Sequence, residues 1–331
     1  MSDSPTLRDL AAQLQLSKST VQRVLTGIGS VSPRVRQRVL NAAAQQGYRP
    51  NPLYSLLGSQ KRRHSLKLTK IAYLFRKDFT SGNNFFAAAA AHGVTLGYSI
   101  EQVELDAVAA GKRLMEVLYN RGFVGALIGR VPPSDHAAIL TNPQFPVVCC
   151  GRIDPLPLHT VHSDVTDMVR LAWSHLLKAG YRRIGPAICS HSPVIEDDLD
   201  RFATILQCQA DTLEAADRLP SFRGRFRDSA ALVRWARKFK PDAILGFSGT
   251  QFHLLKEAGI DMTRIGFATL HANHTAPELA GIVEPFVSIA HQAINLLDQL
   301  IRHRAIGLPE EPLHILVGGR WQPGSSLSPK A

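Results

Sequence analysis

The stretch Leu16-Ser17-Lys18-Ser19-Thr20-Val21-Gln22-Arg23-Val24-Leu25 presents two faces of different chemistry when it is wound into a helix. One face is apolar and consists of Leu16, Val21, Val24 and Leu25. The opposite face carries hydroxyl, amide and cationic groups and no carboxylate. A solvated helix face is the ordinary alternative, but such a face usually mixes both signs of charge. The absence of acids favours a surface that contacts phosphate oxygens and base edges in the major groove of DNA.

Helices are predicted on both sides of this stretch. The preceding helix begins near Thr6, which together with Asp9 resembles a capping box. Its apolar stripe consists of Leu7, Leu10, Ala11 and Leu14. Only two residues separate this stripe from Ser17, which can cap the second helix, so the pair is predicted to form a helix-turn-helix. A third helix begins at Ser32-Pro33, a cap followed by proline. Its apolar stripe consists of Val35, Val39, Leu40 and Ala43.

The positive charge of the chain is concentrated at the N-terminus. The 331 residues carry a formal net charge of +11 at pH 7. Residues 1–66 contain ten Lys and Arg against two Asp, a net charge of +8. The other residues carry only the remaining +3, which is ordinary for their number. This distribution predicts a polyanionic partner that docks at the N-terminus.

Several classes of protein are not expected from the composition. The chain has no apolar run long enough to span a membrane and no recognisable secretory signal. Its four cysteines are too few for a disulfide framework, so we expect a cytoplasmic protein with reduced thiols. The thirteen histidines form no H-E-x-x-H pattern, and we find no phosphate-binding loop or nucleophile motif. We therefore expect no enzyme activity, no cofactor and no metal site.

A short helix and a linker are predicted after the third helix. Asn51 can cap this helix, Pro52 can occupy its first turn, and Gly58 can end it. A helix of one or two turns is not stable alone in water, so this one requires a packing partner. The basic residues 61–63 follow as a linker.

From residue 68 onward, strand-like and helix-like stretches alternate. We predict strands at 70–75, 98–105, 124–129, 146–150, 184–189, 243–247, 265–269 and 313–318. We predict helices at 84–92, 109–121, 164–179 and 286–303. Such alternation is typical of parallel sheets covered on both faces, and the length suits two α/β subdomains with a cleft between them.

Residues 6–58 resemble the DNA-binding headpiece of the LacI/GalR family of transcriptional regulators. The resemblance rests on the segments 6–11, 16–25, 31–33 and 47–51, whose spacing agrees without gaps. It implies a homodimeric DNA-binding regulator, more often a repressor than an activator, that binds a pseudo-palindromic operator in double-stranded DNA. The implied organisation is an all-α helix-turn-helix headpiece at 1–50, a hinge helix and basic linker at 51–67, and an effector-binding and dimerisation domain at 68–331. This last domain is expected to contain two doubly wound parallel-sheet subdomains, as in type 1 periplasmic binding proteins.

The resemblance also implies which residues contact DNA. The recognition helix, residues 17–24, enters the major groove, where Lys18 and Ser19 read bases. The hinge helix pairs with its twin and inserts Leu57 into the minor groove. Two positions depart from the family pattern: Gln22 replaces a usual serine, and Tyr54 replaces a usual small residue. The complete set of predicted DNA-binding residues is Thr6, Leu7, Ser17, Lys18, Ser19, Thr20, Gln22, Arg23, Ser32, Tyr48, Asn51, Tyr54 and Leu57.

The remainder resembles the family's effector domain, most clearly at 161–164, 180–185, 241–245 and 265–267. The acidic and amide positions that often bind sugar hydroxyls in the family are Gly151, Ser248-Gly249 and Ala268 here, so an ordinary sugar effector is not expected. Arginines follow several predicted strands and suit an anionic effector. The candidate effector-binding residues are Arg76, Arg130, Arg152, Arg201, Ser248, His271 and Glu284.

Four alternatives remain open from the sequence alone. Each arginine can instead form a surface or interdomain salt bridge, and the cleft can have lost small-molecule binding and serve only dimerisation. The whole chain can be a cytoplasmic solute-binding protein or an α/β enzyme with no DNA role. Gel shifts that compare the full chain with a truncated chain starting at residue 68 separate these functions from DNA binding.

Overall fold

The computed structural model describes residues 7–26, 31–45, 68–76, 84–105, 114–129, 131, 139, 143–151, 157–188, 191, 194–224, 228–272 and 276–330. Seven of the predicted site residues lie outside these ranges: Thr6, Tyr48, Asn51, Tyr54, Leu57, Arg130 and Arg152. The predicted hinge helix and linker at 51–67 also lie outside them.

Three helices form the headpiece: α1 (Leu7–Leu14), α2 (Lys18–Thr26) and α3 (Pro33–Gln45). Their core consists of Leu10, Ala11, Val21, Val24, Val39, Ala42 and Ala43. The helices begin where the capping signals predict, because α2 follows Ser17 and α3 starts at Pro33. The apolar stripe predicted for α3 was wrong at one position, since Leu40 is 44% exposed and Ala42 is buried in its place.

The first α/β subdomain contains a six-stranded sheet in the order β10-β5-β4-β3-β1-β2. The strands are β1 (Thr69–Phe75), β2 (Tyr98–Glu104), β3 (Phe123–Ile128), β4 (Val147–Cys150), β5 (His159–Ser163) and β10 (His314–Val317). Every neighbouring pair is parallel. Three helices accompany this sheet: α4 (Phe85–Thr95), α5 (Leu114–Asn120) and α10 (Phe286–Arg302).

The second subdomain contains a five-stranded sheet in the order β11-β9-β8-β7-β6. Its strands are β6 (Ile184–Ala187), β7 (Ala243–Gly246), β8 (Gly266–Thr269), β9 (Ala280–Val283) and the antiparallel edge strand β11 (Arg320–Gln322). Its helices are α6 (Val165–Lys178), α7 (Glu196–Thr212), α8 (Ser229–Phe239) and α9 (Gly249–Glu257).

The chain crosses between the two subdomains at three places. It leaves β5 at Ser163-Asp164 to enter α6, and it leaves β9 at Glu284-Pro285 to enter α10. It returns at 318–319, between β10 and β11. The first and third crossings lie side by side, because the backbone N–H of Asp164 donates to the carbonyl of Val317 at 2.9 Å. These crossings are the places at which the subdomains can rotate relative to each other.

This architecture confirms the predicted fold class of a helical headpiece followed by two parallel-sheet subdomains. Several elements were not predicted, namely β5, β9, β11, α7, α8 and α9. The predicted strand at 184–189 ends earlier, at Ala187. In the described part of the chain, every helix is too short or too polar to cross a bilayer. The same residues contain no group of three or more His, Cys, Asp or Glu side chains suited to a metal ion.

Candidate nucleic-acid interface and effector cleft

Helix α2, the predicted recognition helix, is fixed at its start by Ser17. The Oγ of Ser17 accepts a hydrogen bond from the backbone N–H of Thr20 at 3.1 Å, as an N-cap does. The same Oγ lies 2.8 Å from the hydroxyl of Thr20 and 2.9 Å from that of Ser19. This network holds three of the predicted DNA-contacting hydroxyls together at one end of the helix.

The outward face of α2 has the composition that the sequence predicts. Val21 and Val24 are buried in the headpiece core. The side chains that remain exposed are Ser17, Lys18, Ser19, Gln22 and Arg23. The face therefore presents hydroxyl, amide and cationic groups on a packed three-helix support.

Two other predicted DNA contacts take different positions in the headpiece. Leu7 is half-buried and packs against the core at the start of α1, so most of its surface stabilises the fold. Ser32 is exposed at the start of α3, where its carbonyl accepts from the backbone N–H groups of Val35 and Arg36 at 3.0 Å. The guanidinium of Arg38 in α3 donates to the carbonyl of Leu14 at 3.3 Å and so ties α3 to the end of α1.

A polar cluster lies at the carboxyl ends of the strands, which is where open α/β sheets bind ligands. Ser163 ends β5, and His191 lies beyond the end of β6. Phe247, His271 and Glu284 follow β7, β8 and β9, respectively. Helix α7 adds Asp197, Asp198 and Arg201 from its first two turns. We call these eight residues the cleft cluster.

Glu284 accepts two hydrogen bonds within the cleft cluster. Its Oε1 accepts from the hydroxyl of Ser163 at 2.7 Å, and its Oε2 lies 3.0 Å from Nδ1 of His271. Burial opposes ionisation of this carboxyl, but the bonds from His271 and Ser163 and the charge of Arg201 hold its pKa below the ordinary value. Because an ionised carboxylate can only accept, Nδ1 of His271 carries the proton.

Arg201 is buried against two carboxylates of its own helix. Its guanidinium lies 3.3 Å from Asp198 and 3.9 Å from Asp197. Asp198 also accepts from the backbone N–H and from Nδ1 of His191, at 2.8 and 2.9 Å. Burial raises the pKa of Asp198, but the bonds from His191 and from the backbone of Ile195 outweigh it, and the pKa is lowered.

The ring of Phe247 contacts both the His271–Glu284 pair and the group formed by Arg201, Asp198 and His191. The guanidinium carbon of Arg201 lies 5.2 Å from its centroid, which is a cation–π distance. The ring of His271 lies 4.5 Å away, and that of His191 approaches edge-on at 5.7 Å. Two imidazoles, each held by a carboxylate, therefore flank one aromatic ring.

Two buried polar atoms of the cleft cluster have no hydrogen-bond partner among the described residues. They are Nε2 of His271 and Oδ1 of Asp197. Because Nδ1 of His271 carries a proton, Nε2 can accept a hydrogen bond in the neutral tautomer of the ring. Buried polar atoms are normally paired, so a ring nitrogen without a partner at the ends of the strands is a feature that a bound molecule can satisfy.

The structure brings together three of the seven predicted effector-binding residues: Arg201, His271 and Glu284. Ser248 lies next to Phe247 but caps α9, since its Oγ accepts from the N–H of Thr250 at 3.3 Å. Arg76 follows β1 in the other subdomain and is half-buried. The ion pairs of Arg201 weaken the reason for expecting an anionic effector, because this positive charge is already compensated.

Five residues of the cleft cluster were missed by the sequence analysis: Ser163, His191, Asp197, Asp198 and Phe247. A signal was present for the two aspartates, which stand three and four residues before Arg201 and so share its side of a helix. No local pattern relates Ser163 or His191 to the distant residues of the cluster, because only the sheet topology makes them neighbours.

Comparison with known proteins identifies the headpiece. The family model described as bacterial regulatory proteins of the lacI family matches residues 6–51. The chain carries a LacI-family helix-turn-helix domain. Sequence similarity to transcriptional regulators continues beyond the headpiece. The HTH-type transcriptional regulator GalS of Salmonella typhimurium is 26% identical over 309 residues, which cover 88% of both chains. The HTH-type transcriptional repressor CytR of Escherichia coli is 27% identical over 183 residues, 54% of this chain and 52% of CytR.

Solved structures of LacI-family proteins share the fold. The transcriptional regulator CelR in complex with cellobiose covers 97% of this chain and 99% of its own, with a TM-score of 0.60 and 19% identity. The Lac repressor dimer bound to operator and the anti-inducer ONPF covers 98% of this chain and 100% of its own, with a TM-score of 0.59 and 19% identity. The fold of these structures therefore extends over nearly the whole chain.

Proposed function

We propose that this chain is a transcriptional repressor that binds double-stranded operator DNA as a homodimer and releases or retains it in response to a small molecule. The observation that carries this proposal is the acid-free outward face of α2, supported by the packed core of α1 and α3. A two-fold dimer reads a two-fold site, so the operator is a pseudo-palindrome. A repressor of this kind acts in the cytoplasm, where bacterial DNA lies.

In the proposed complex, α2 enters the major groove. Lys18, Ser19 and Gln22 reach base edges, and Ser17, Thr20 and Arg23 contact phosphates or support the residues that do. Leu7 and Ser32 border this surface, and we assign Thr6, Tyr48 and Asn51 to its edge on the family resemblance alone. Tyr54 and Leu57 belong to the proposed hinge pair, where Leu57 enters the minor groove and kinks the duplex.

The cleft cluster is the proposed effector site, with Arg201, His271 and Glu284 at its centre. Its side chains include three carboxylates against one guanidinium, so an additional anion is opposed by the local charge. We therefore propose a neutral or cationic effector that donates a hydrogen bond to Nε2 of His271. Thermal-shift measurements with metabolites grouped by net charge test this, and stabilisation confined to anions contradicts it. Ser248, Arg76, Arg130 and Arg152 remain candidate effector-binding residues.

The proposed function is tested by selection of genomic DNA fragments on the purified full-length chain, followed by fluorescence anisotropy with the enriched duplex. We expect tight binding that weakens steeply with salt and a protected site with two-fold symmetry. The matched variant carries Lys18→Ala and Arg23→Ala, which change only exposed side chains. If that variant binds the enriched duplex as tightly as the unchanged chain, α2 does not contact the DNA, and the proposed function is wrong.

A further inference from the structure

Ser163 and Glu284 connect two of the three crossings between the subdomains. Ser163 is the last residue of β5 in the six-stranded sheet, and Glu284 follows β9 in the five-stranded sheet. The hydroxyl of Ser163 donates to Oε1 of Glu284 at 2.7 Å. The exposed fractions are 17% for the Glu284 side chain and 7% for Ser163, so water competes weakly for this bond. Its length therefore depends directly on how the two crossings are packed.

The second oxygen of Glu284 points to the cleft. Its Oε2 accepts from Nδ1 of His271, whose ring packs against Phe247. The opposite ring atom, Nε2, is buried and has no hydrogen-bond partner among the described residues. An imidazole is rigid, so a molecule that pulls on Nε2 reorients Nδ1 as well. A continuous path of two hydrogen bonds thus runs from the His271 ring, with its unpaired Nε2, to a crossing between the subdomains.

We propose that Glu284 is a positioning residue that couples occupation of the cleft at Nε2 of His271 to the angle between the two subdomains. This inference rests on the proposed function. One subdomain arrangement satisfies both bonds of Glu284, and the other breaks the bond to Ser163. A molecule that donates to Nε2 shifts the balance because it binds the two arrangements with different affinity. The operator affinity changes with the arrangement, since the proposed hinge pair joins the headpieces to this domain.

A double-mutant cycle on the full-length chain tests the coupling without the natural effector. The variants are Ser163→Ala, His271→Ala and the double substitution, and the measurement is the Kd for the enriched duplex. If the path acts as a unit, either single change already breaks it. We expect the fold-change in Kd of the double variant to be smaller than the product of the two single fold-changes, by about three-fold or more. Such a deficit is the signature of coupled residues.

Three controls accompany the cycle. Ser174→Ala removes a hydroxyl that donates to the carbonyl of Leu171 at 2.8 Å in α6, and it should leave the Kd unchanged. His271→Asn keeps a donor near the position of Nδ1 and should restore most of the coupling that His271→Ala loses. Circular dichroism and the mass in solution verify that each variant folds and associates as the unchanged chain does. Where His271→Ala fails this check, the substitution His271→Gln takes its place in the cycle, because its longer amide side chain fills the space but cannot reproduce the position of Nδ1.

The outcomes separate the two proposals. The role of Glu284 is wrong if the fold-change in Kd of the double variant equals the product of the single fold-changes within about 1.5-fold, or if no variant changes the Kd. Either result leaves the DNA-binding function intact. Failure of the unchanged chain to bind any duplex overturns the proposed function itself. A cycle that is non-additive for Ser163 and His271 but additive for Ser174 and His271 supports the path through Glu284.

Discussion

The guanidinium of Arg201 lies 3.3 Å from the carboxylate of Asp198, and the two side chains are only 5% and 2% exposed. Such a pair is costly to break, because removal of one partner leaves a buried charge without compensation. We expect Asp198→Ala to lower the free energy of unfolding by about 3–5 kcal/mol. Asp198→Asn, which keeps an acceptor for His191 and for Arg201, should cost less. Chemical denaturation of the full chain measures both.

A matched control for this prediction is Lys70→Ala. Lys70 pairs with Glu101 at 2.8 Å, but both side chains are about a third exposed. Exposed pairs contribute about 0–1 kcal/mol, so this loss should be small. Equal losses in the free energy of unfolding for Asp198→Ala and Lys70→Ala would contradict the prediction that the buried pair is the more stabilising one.

Stability should fall in acid because of Asp198 and Glu284, whose pKa values are both lowered in the folded chain. A carboxyl whose pKa is lowered in the folded chain stabilises the fold. This stabilisation is complete at pH values above the pKa in the unfolded chain, about 3.9 for Asp and 4.3 for Glu, and it is lost as the pH falls below those values. The double variant Asp198→Asn and Glu284→Gln should show a shallower decline between about pH 5 and pH 3 in urea denaturation. Glu257→Gln, an exposed carboxylate at the end of α9, is the control and should keep the original slope.

The headpiece should depend on Leu10 far more than on Leu40. Leu10 is fully buried between the helices, whereas Leu40 is 44% exposed on α3. Leu10→Ala should cost about 2–5 kcal/mol through lost burial and the cavity that remains. Leu40→Ala should stay within about 0.5 kcal/mol. Amide hydrogen exchange over α1, α2 and α3 measures the local free energy of opening, and similar protection in both variants would show that this core is assigned incorrectly.

Arg23→Ala should weaken DNA binding in a salt-dependent manner. If Arg23 neutralises one phosphate, its loss reduces the slope of log Kobs against log salt by about 0.9 per headpiece. Anisotropy titrations at several salt concentrations measure this slope. Arg237→Ala serves as the control, since this exposed arginine belongs to α8 of the second subdomain, where it donates to the carbonyl of Ala258 at 3.2 Å. An unchanged slope for Arg23→Ala would remove Arg23 from the interface.

Leu57→Ala should weaken specific binding more than non-specific binding, because the proposed minor-groove wedge produces a kink that only the operator accommodates. Circular permutation gel shifts measure the bend, and competition with non-specific duplex measures the specificity ratio. A variant that keeps both the operator affinity and the bend angle would show that the hinge assignment is wrong.

The sequence was most informative where structure is determined locally. Capping residues such as Ser17 and Ser32 placed the starts of α2 and α3 correctly, because a cap acts within one turn of its own position. Strand β5 escaped prediction because His159, Thr160, His162 and Ser163 interrupt any apolar run. Its polar side chains are accommodated by hydrogen bonds to distant residues, such as that between Thr160 and His314 at 2.8 Å.

The cleft cluster was predictable only in part, for a related reason. Arg201 was predicted from the family resemblance and not from the alternation of strands and helices. His271 follows a predicted strand and Glu284 precedes the last predicted helix, so their location follows from that alternation. Their partners depend on which strands become neighbours. Aspartates of the same helix compensate the charge of Arg201, and this changes the expected charge of the effector. The compensation was not predicted, because the limits of that helix were not identified from the sequence.

The order of strands in the first sheet constrains how the molecule can be made. Strand β10 borders β5 in that sheet, although it is synthesised only after β6, β7, β8 and β9 of the other sheet. Helix α10, which also packs on the first sheet, emerges late as well. A ribosome must therefore deliver nearly the entire polypeptide before either lobe is complete, and no contiguous fragment of the gene encodes one lobe alone.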